Sequence, residues 1–244
     1  LSVVWESEVD AKLVDSAAAD GIIRAFLAPS FTPISDERIF TRMATMLRGL
    51  VEEYRFTSVA LTESTSHFTA VHTESFDLDG DELYPGFHLR NSEVGAAALT
   101  LDDHWLRQVC SNGLMVKVGG KRSLYRTHRM IEDDQLAAAL VIAIGRLPER
   151  WTVSFEWMRS ARRITIPHPD DAVAAILGDS AEVPKALLEE AQRVVLRDGD
   201  ATRFGIVQAI TLVAHEKNTD PDVRFAMERL AGDYLAATPT VGTA

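Results

Sequence analysis

The hydrophobic pattern turns helical for good near residue 131, and this change constrains the fold more than any other feature of the chain. Before it, apolar residues alternate with polar ones over short stretches. After it, they recur every three or four residues. Residues 21–27 (GIIRAFL) read as a strand. Phe56, Ser58, Ala60 and Thr62 alternate with Thr57, Val59 and Leu61, and 65–74 (TSHFTAVHTE) has strand chemistry. Glu63-Ser64 between them suits a hairpin connection. Further strands are expected over 86–92, 94–101, 104–110, 114–118 and 123–129, the last two joined as a hairpin across Gly119-Gly120.

One helix interrupts this half. Ser35 is a good N-cap, Asp36 and Glu37 favour the positive end of a helix, and Ile39, Met43, Met46, Leu47 and Leu50 follow at helical spacing. The pattern predicts a helix over 36–53. Beyond 131, helices are expected over 132–146, 149–162, 169–177, 182–196, 202–216 and 221–236, punctuated by Gly and Pro. Strands followed by a run of helices indicate an α+β fold, with an antiparallel sheet and a covering helix in the N-terminal half and a helical C-terminal half. The expected organisation is an N-terminal arm over 1–20, a sheet with one helix over 21–130, and a helical subdomain over 131–244, packed on or beside the sheet.

At 244 residues and 46% hydrophobic content the chain can bury a sizeable core. No apolar run approaches the ~20 residues that span a bilayer. The first residues have no basic region followed by an apolar stretch, so they do not read as a secretory signal. A single cysteine, Cys110, forbids an internal disulfide. These features lead to an expectation of a cytoplasmic protein without a membrane partner.

The net charge of −11 is unevenly spread. Residues 1–99 carry a net −9, residues 100–163 a net +4, and residues 164–244 a net −6. The basic cluster is Arg107, Lys117, Lys121, Arg122, Arg126, His128 and Arg129, with Tyr125 among them. A stacking ring beside phosphate-binding cations suits single-stranded nucleic acid, and these eight residues are the expected nucleic-acid-binding set. The other reading of the cluster is a basic surface that answers the acidic flanks of the same fold or of a second subunit. The acidic–basic–acidic layout would let subunits pair, so a homo-oligomer is expected.

Catalytic and metal chemistry find less support. Cys110 between two apolar strands reads as a small buried hydrophobe rather than a nucleophile. The histidines at 67, 72, 88, 104, 128, 168 and 215 are scattered, and His67 and His72 fall on opposite faces of one strand. Asp77, Asp79, Asp81 and Glu82 surround Gly80 without calcium-loop spacing, so a solvated hairpin turn is expected. Asp102 and Asp103 beside His104 would point to opposite sides of a strand. No glycine-rich phosphate loop is present. The expectation is therefore no cofactor, no metal, no catalytic residue, and a protein that binds rather than catalyses.

Several motifs carry a resemblance. HLRNSEVGAAALTL, RQVCSNGLMV and YRTHR occur in that order, followed by TRFGIVQAITLVAHE and MERLAGDYL. The series resembles the phage/plasmid-like proteins of domain-of-unknown-function family 932 over residues 80 to 236, with Cys110-Ser111-Asn112-Gly113-Leu114 the most specific part. The resemblance implies a role in mobile-element DNA metabolism or defence, with single-stranded DNA binding or annealing as its concrete form. The alternative is a structural or assembly protein that acts by self-association or protein binding.

Overall fold

The computed structural model describes residues 12–15, 23–48, 53–107, 112–117, 121–129, 133–216 and 219–237. Its strands are β1 (Lys12–Asp15), β2 (Ile23–Leu27), β3 (Tyr54–Leu61), β4 (Ser66–His72), β5 (Phe76–Leu78), β6 (Asp81–Asn91), β7 (Leu99–Arg107), β8 (Asn112–Val116) and β9 (Leu124–Arg126). Its helices are α1 (Asp36–Arg48), α2 (Asp133–Gly145), α3 (Leu147–Ala161), α4 (Pro169–Leu177), α5 (Lys185–Asp198), α6 (Arg203–Ala214) and α7 (Pro221–Ala236). The fold is α+β, with a seven-stranded antiparallel sheet in the N-terminal half and helices in the C-terminal half. No described helix is long and apolar enough to cross a membrane.

The sheet runs β3-β4-β6-β7-β8. β5 pairs with β6 beyond the end of β4, and β9 pairs with β7 beyond the end of β8. Two lines of the sheet are thus strands with a break. The break between β4 and β5 lies opposite Tyr84 and Pro85, since the ladder stops at Val71–Gly86 and resumes at Phe76–Leu83. A proline, which lacks an N–H, is tolerated in a central strand where the neighbouring ladder is already interrupted.

This arrangement revises three expectations. The region expected as strands 86–92, 94–101 and 104–110 is two long strands, β6 and β7, joined by a turn in which Gly95 has φ +77°. Pro85 falls before the strand expected at 86–92, yet β6 runs through it. The expected hairpin of 114–118 with 123–129 is not formed. β8 and β9 both lie along β7, end to end, because each buries its apolar residues beside that strand. The helix expected over 36–53 is described over Asp36–Arg48, with the Ser35 hydroxyl accepting from the Arg38 N–H at 3.2 Å. Cys110, Gly119 and Gly120 lie outside the described residues. The turn at Asp79-Gly80 is a hairpin between β5 and β6, as its sequence suggests, with both residues at positive φ.

Side chains alternate across the sheet and give it two unlike faces. One face carries Phe68, Ala70, Phe87, Leu89, Leu101, Trp105, Leu114 and Val116, all buried. α3 covers it. Trp151 on α3 donates Nε1–H to the Gly86 carbonyl at 3.2 Å, and Trp105 donates Nε1–H to the Ser154 hydroxyl at 2.9 Å. Both indoles are therefore buried with their one polar atom satisfied. The core continues from this face through Leu140, Leu147, Phe204, Ile210 and Met227, so strands and helices share one apolar interior.

α7 crosses the other face. Gly232 lets it approach β8: a Cβ there would fall 1.6 Å from the Met115 carbonyl oxygen. Asp220 caps the helix by accepting from the Asp222 and Val223 N–H groups. Lys117 and Asp233, 2.9 Å apart, tie the far end of α7 to the sheet.

A buried ion pair locks α3 onto the apolar face. Asp103 on β7 is fully buried, and the Arg150 guanidinium grips both its carboxylate oxygens at 2.6 to 2.9 Å while also donating to the Lys121 carbonyl. Removing one member of such a pair strands the other as an uncompensated buried charge. Arg150→Ala should destabilise the protein by about 3–5 kcal/mol. Urea unfolding followed by circular dichroism measures it, and a loss under about 1 kcal/mol would show that Asp103 finds another partner.

Candidate functional site

The eight residues expected to bind nucleic acid divide into two groups. Arg107 is held by Asp81, with Nη2 2.6 Å from the carboxylate. Lys117 is held by Asp233. Arg122 donates to Asp102 at 2.8 Å and lies 5.7 Å over the Phe225 ring. His128 is buried and stacked on Phe31, with ring centroids 5.0 Å apart. These four are structural. Lys121, Tyr125, Arg126 and Arg129 are exposed, and the three cations have no ion-pair partner among the described residues. A cleft of about 390 Å³ beside them is lined by Phe31, Gly95, Tyr125, Thr127, His128 and Arg129, among others.

The acids beside His104 behave as alternation requires. Asp102 faces α7 and takes Arg122, while Asp103 faces α3 and takes Arg150. Burial pushes the Asp102 carboxyl up to about 6 in spite of its arginine. It pushes Asp103 upward as well, against the opposing pull of Arg150.

The histidines are where the sequence expectation fails most. His67 on β4, His88 on β6 and His104 on β7 share the face that α7 crosses. Thr69 stands opposite His88, and Gly86 opposite His104, so each imidazole is staggered by two residues from the next. The three form a diagonal across adjacent strands, with ring centroids 5.4 Å and 6.4 Å apart. All three are buried. The signal was present in the sequence as the alternations His67-Thr69, His88-Arg90 and Thr100-Asp102-His104. It needed the strand register to become a cluster.

A hydrogen-bond chain orders the first half of the diagonal. The Thr65 hydroxyl donates to Asp222 at 2.8 Å and can therefore only accept from His67 Nε2, 3.1 Å away. His67 Nε2 is also 3.3 Å from Asp222 and so carries the proton. Burial, opposed by Asp222, holds His67 below its ordinary pKa, so the ring is neutral and Nδ1 is an acceptor. It accepts from His88 Nε2 at 3.2 Å. His88, held far below the ordinary range by burial and by its histidine and arginine neighbours, then accepts at Nδ1 from the Thr69 hydroxyl at 3.1 Å. Every proton in the chain points toward Asp222, which Arg90 also grips. The Thr69 oxygen keeps its lone pairs available.

The second half is different. His104 Nδ1 is buried with no hydrogen-bond partner. Burial lowers its pKa to about 4, against the raising influence of Glu228. At the end of the diagonal, the Glu228 carboxylate meets His215 Nε2 across the α6–α7 corner. Burial would raise Glu228, but the hydrogen bond and charge of His215 bring it below the ordinary carboxylate range. This pair, thirteen residues apart, was not visible in the sequence. Gly113 makes room for it: a Cβ there would fall 2.4 Å from His104 Nε2 and 2.8 Å from Glu228 Oε1.

A cavity of about 500 Å³ lies over the diagonal. The sheet forms its floor with His67, Thr69, His88 and His104, and the α6–α7 corner forms a wall with His215, Arg224, Phe225 and Glu228. Arg55 and Phe56 of β3 also line it. Among the described residues, no three of His, Cys, Asp and Glu are placed to hold a metal ion. Comparison of the chain with protein-family models, curated proteins and solved structures gives no match.

His104 gives this face a pH signature. In the unfolded chain its imidazole gains a proton near 6.5, whereas in the native state it stays neutral down to about 4. Its contribution to stability is therefore lost as pH falls through that window. Asp102 acts in the opposite direction, since the native state keeps its proton up to about 6 and the unfolded chain releases it near 3.8. In His104→Gln the histidine share is absent. Between pH 6.5 and 4 that variant should lose about 3 kcal/mol less stability than the parent. Denaturant melts at the two pH values test this, and equal losses in both proteins would contradict it.

Proposed function

We propose that the protein binds single-stranded nucleic acid at the ridge formed by Lys121, Tyr125, Arg126 and Arg129, as an accessory protein of a phage or plasmid-like element. The observation that carries this reading is the exposure of Tyr125, at 56%, between cations that have no ion-pair partner among the described residues. In a chain of net charge −11, most cations near the sheet are paired, so unpaired ones grouped around an exposed ring are a selective feature. The adjacent cleft has room for an unstacked base beside Tyr125, with Arg129 positioned for its phosphate. The resemblance of the motifs in residues 80–236 to a phage/plasmid-like family supports the same assignment.

The ridge is small, and the reading makes a quantitative claim about it. Three phosphate contacts on a single strand give a slope of about −2 in log K against log salt. Fluorescence anisotropy with a labelled oligonucleotide should return that slope. Arg126→Glu with Arg129→Glu should abolish binding, and Tyr125→Ala should weaken it by about tenfold. Absence of binding at low ionic strength would sink the proposal.

A specific feature also favours self-association. β3 is the terminal strand of the sheet, and Phe56, Val59 and Leu61 on it are 50%, 57% and 66% exposed. An edge strand with apolar side chains is a template for pairing with another chain. We propose that two copies pair through β3. Val59→Lys should then convert a dimer to a monomer in light scattering coupled to size exclusion, and a parent protein already monomeric at high concentration would exclude it.

A further inference from the structure

α2 is apolar on every side, and one of its sides is bare. From Gln135 to Gly145 it carries no charged residue. Leu136, Leu140, Ala143 and Ile144 are buried in the core. Val141 and Ile142 are 54% and 55% exposed, and Ala138 lies exposed one turn before them. A helix that is hydrophobic all round is ordinarily covered all round. A groove of about 460 Å³ runs along the bare side. Ala138, Ala139 and Ile142 of α2 line it, with Arg126 of β9 and with Thr127 and Arg129 just after that strand. Neither arginine has an ion-pair partner among the described residues. The groove therefore suits an occupant that is apolar along one part and acidic along another.

The chain holds such a segment beside the groove. Residues 1–11 read LSVVWESEVDA, with three acids, Glu6, Glu8 and Asp10, and no base. Val3, Val4 and Trp5 precede the acids. β1 fixes the place from which this segment departs. Lys12, the first residue of β1, pairs with Leu27, the last of β2. Leu27 lines the cleft that Tyr125, Thr127 and Arg129 also line, and the last two belong to the α2 groove as well. Phe31, just past β2, bridges to Arg129. The N-terminal end of β1 thus lies at the cleft. Eleven residues reach up to about 36 Å, whereas α2 from Gln135 to Gly145 is only about 16 Å long. The order of chemistry also fits. Outward from Lys12, the acids come first and the apolar residues follow. Outward from the cleft, Arg129 stands at the junction, and Arg126 and the α2 side chains lie beyond it.

We propose that residues 1–11 dock in this groove of the same molecule, with Glu6, Glu8 and Asp10 at Arg126 and Arg129 and with Val3, Val4 and Trp5 on Ala138, Val141 and Ile142. Apolar burial on α2 supplies the attraction, and the carboxylate–guanidinium contacts set the register. The consequence rests on strand binding at the ridge. Arg126 and Arg129 serve the strand there, so the docked acids compete with its phosphates. A short tether holds the segment at an effective concentration of about millimolar, so even weak docking lowers the affinity for a strand.

Zero-length carbodiimide cross-linking of the full chain, with Arg126→Lys supplying an amine at the groove, tests the docking. Peptide mass spectrometry should find position 126 joined to Glu6, Glu8 or Asp10, and Lys185, exposed on α5, joined to none of them. Ile142→Asp, at an exposed position, places a charge under the apolar residues and should lower that yield about tenfold with circular dichroism unchanged. No such cross-link would overturn the proposal, and so would cross-links found only between isotopically distinct chains, which give the groove to a second copy. The competition is read by anisotropy with a labelled oligonucleotide at low salt. The variant carrying Glu6→Gln, Glu8→Gln and Asp10→Asn should bind about tenfold more tightly than the parent. Equal affinities would overturn the competition. Cross-links at position 126 with no oligonucleotide binding by either protein would sink the strand reading of the ridge and support the docked segment.

Discussion

The strict alternation of side chains along β6 and β7 governs both sides of this molecule. Phe87, Leu89, Leu101 and Trp105 face one way and form the floor of the core. His88, Arg90, Asp102 and His104 face the other way, and His88 and His104 form part of the floor of the cavity. A shift of one residue in register would exchange the two sets and bury the charges in the core. The apolar face therefore fixes the register, and the register aligns the imidazoles. The site depends on core packing that it does not touch.

Charge is organised with the same economy. Asp102 and Asp103 are adjacent, buried and turned to opposite faces of the sheet, where Arg122 of the segment before β9 pairs with one and Arg150 of α3 with the other. These acids, with Asp81, Asp222 and Asp233, hold most of the cations close to the sheet. The basic middle of the sequence is largely an internal counter-charge to acids of the sheet and the helices. Among the described residues, the cations without an ion pair include Lys121, Arg126 and Arg129 on the ridge near Tyr125 and the two arginines lining the cavity. An overall charge of −11 hides this distribution, and only the pairing shows it.

The sequence made the class of fold and the helices of the second half legible. The helices at Pro169–Leu177 and Pro221–Ala236 match their expected bounds, because proline at the start fixes where a helix begins. Strands were less legible. Pro85 falls before the strand expected at 86–92 yet lies inside β6, while Gly95, within the strand expected at 94–101, lies in the turn between β6 and β7. Whether a neighbouring strand needs the donor that proline lacks is a tertiary fact. The basic hairpin failed for a related reason, since β8 and β9 each find a better partner in β7 than in each other. Of the eight expected site residues, four are buried or paired, because nothing local in the sequence says which arginine faces which aspartate. The histidine diagonal draws on three strands and the Glu228–His215 pair on two helices, so neither follows from spacing along the chain.

The central claim is that the face under α7 carries an ordered row of neutral imidazoles, aligned toward Asp222 and ending at an unsatisfied His104. Nitrogen NMR of the histidine side chains measures the tautomer and charge of each ring directly. The account predicts that at neutral pH His67 and His88 are both uncharged, with the proton on Nε2 and none on Nδ1. A protonated ring at either position, or a proton on Nδ1 of His67, would contradict the hydrogen-bond order from which the site is built.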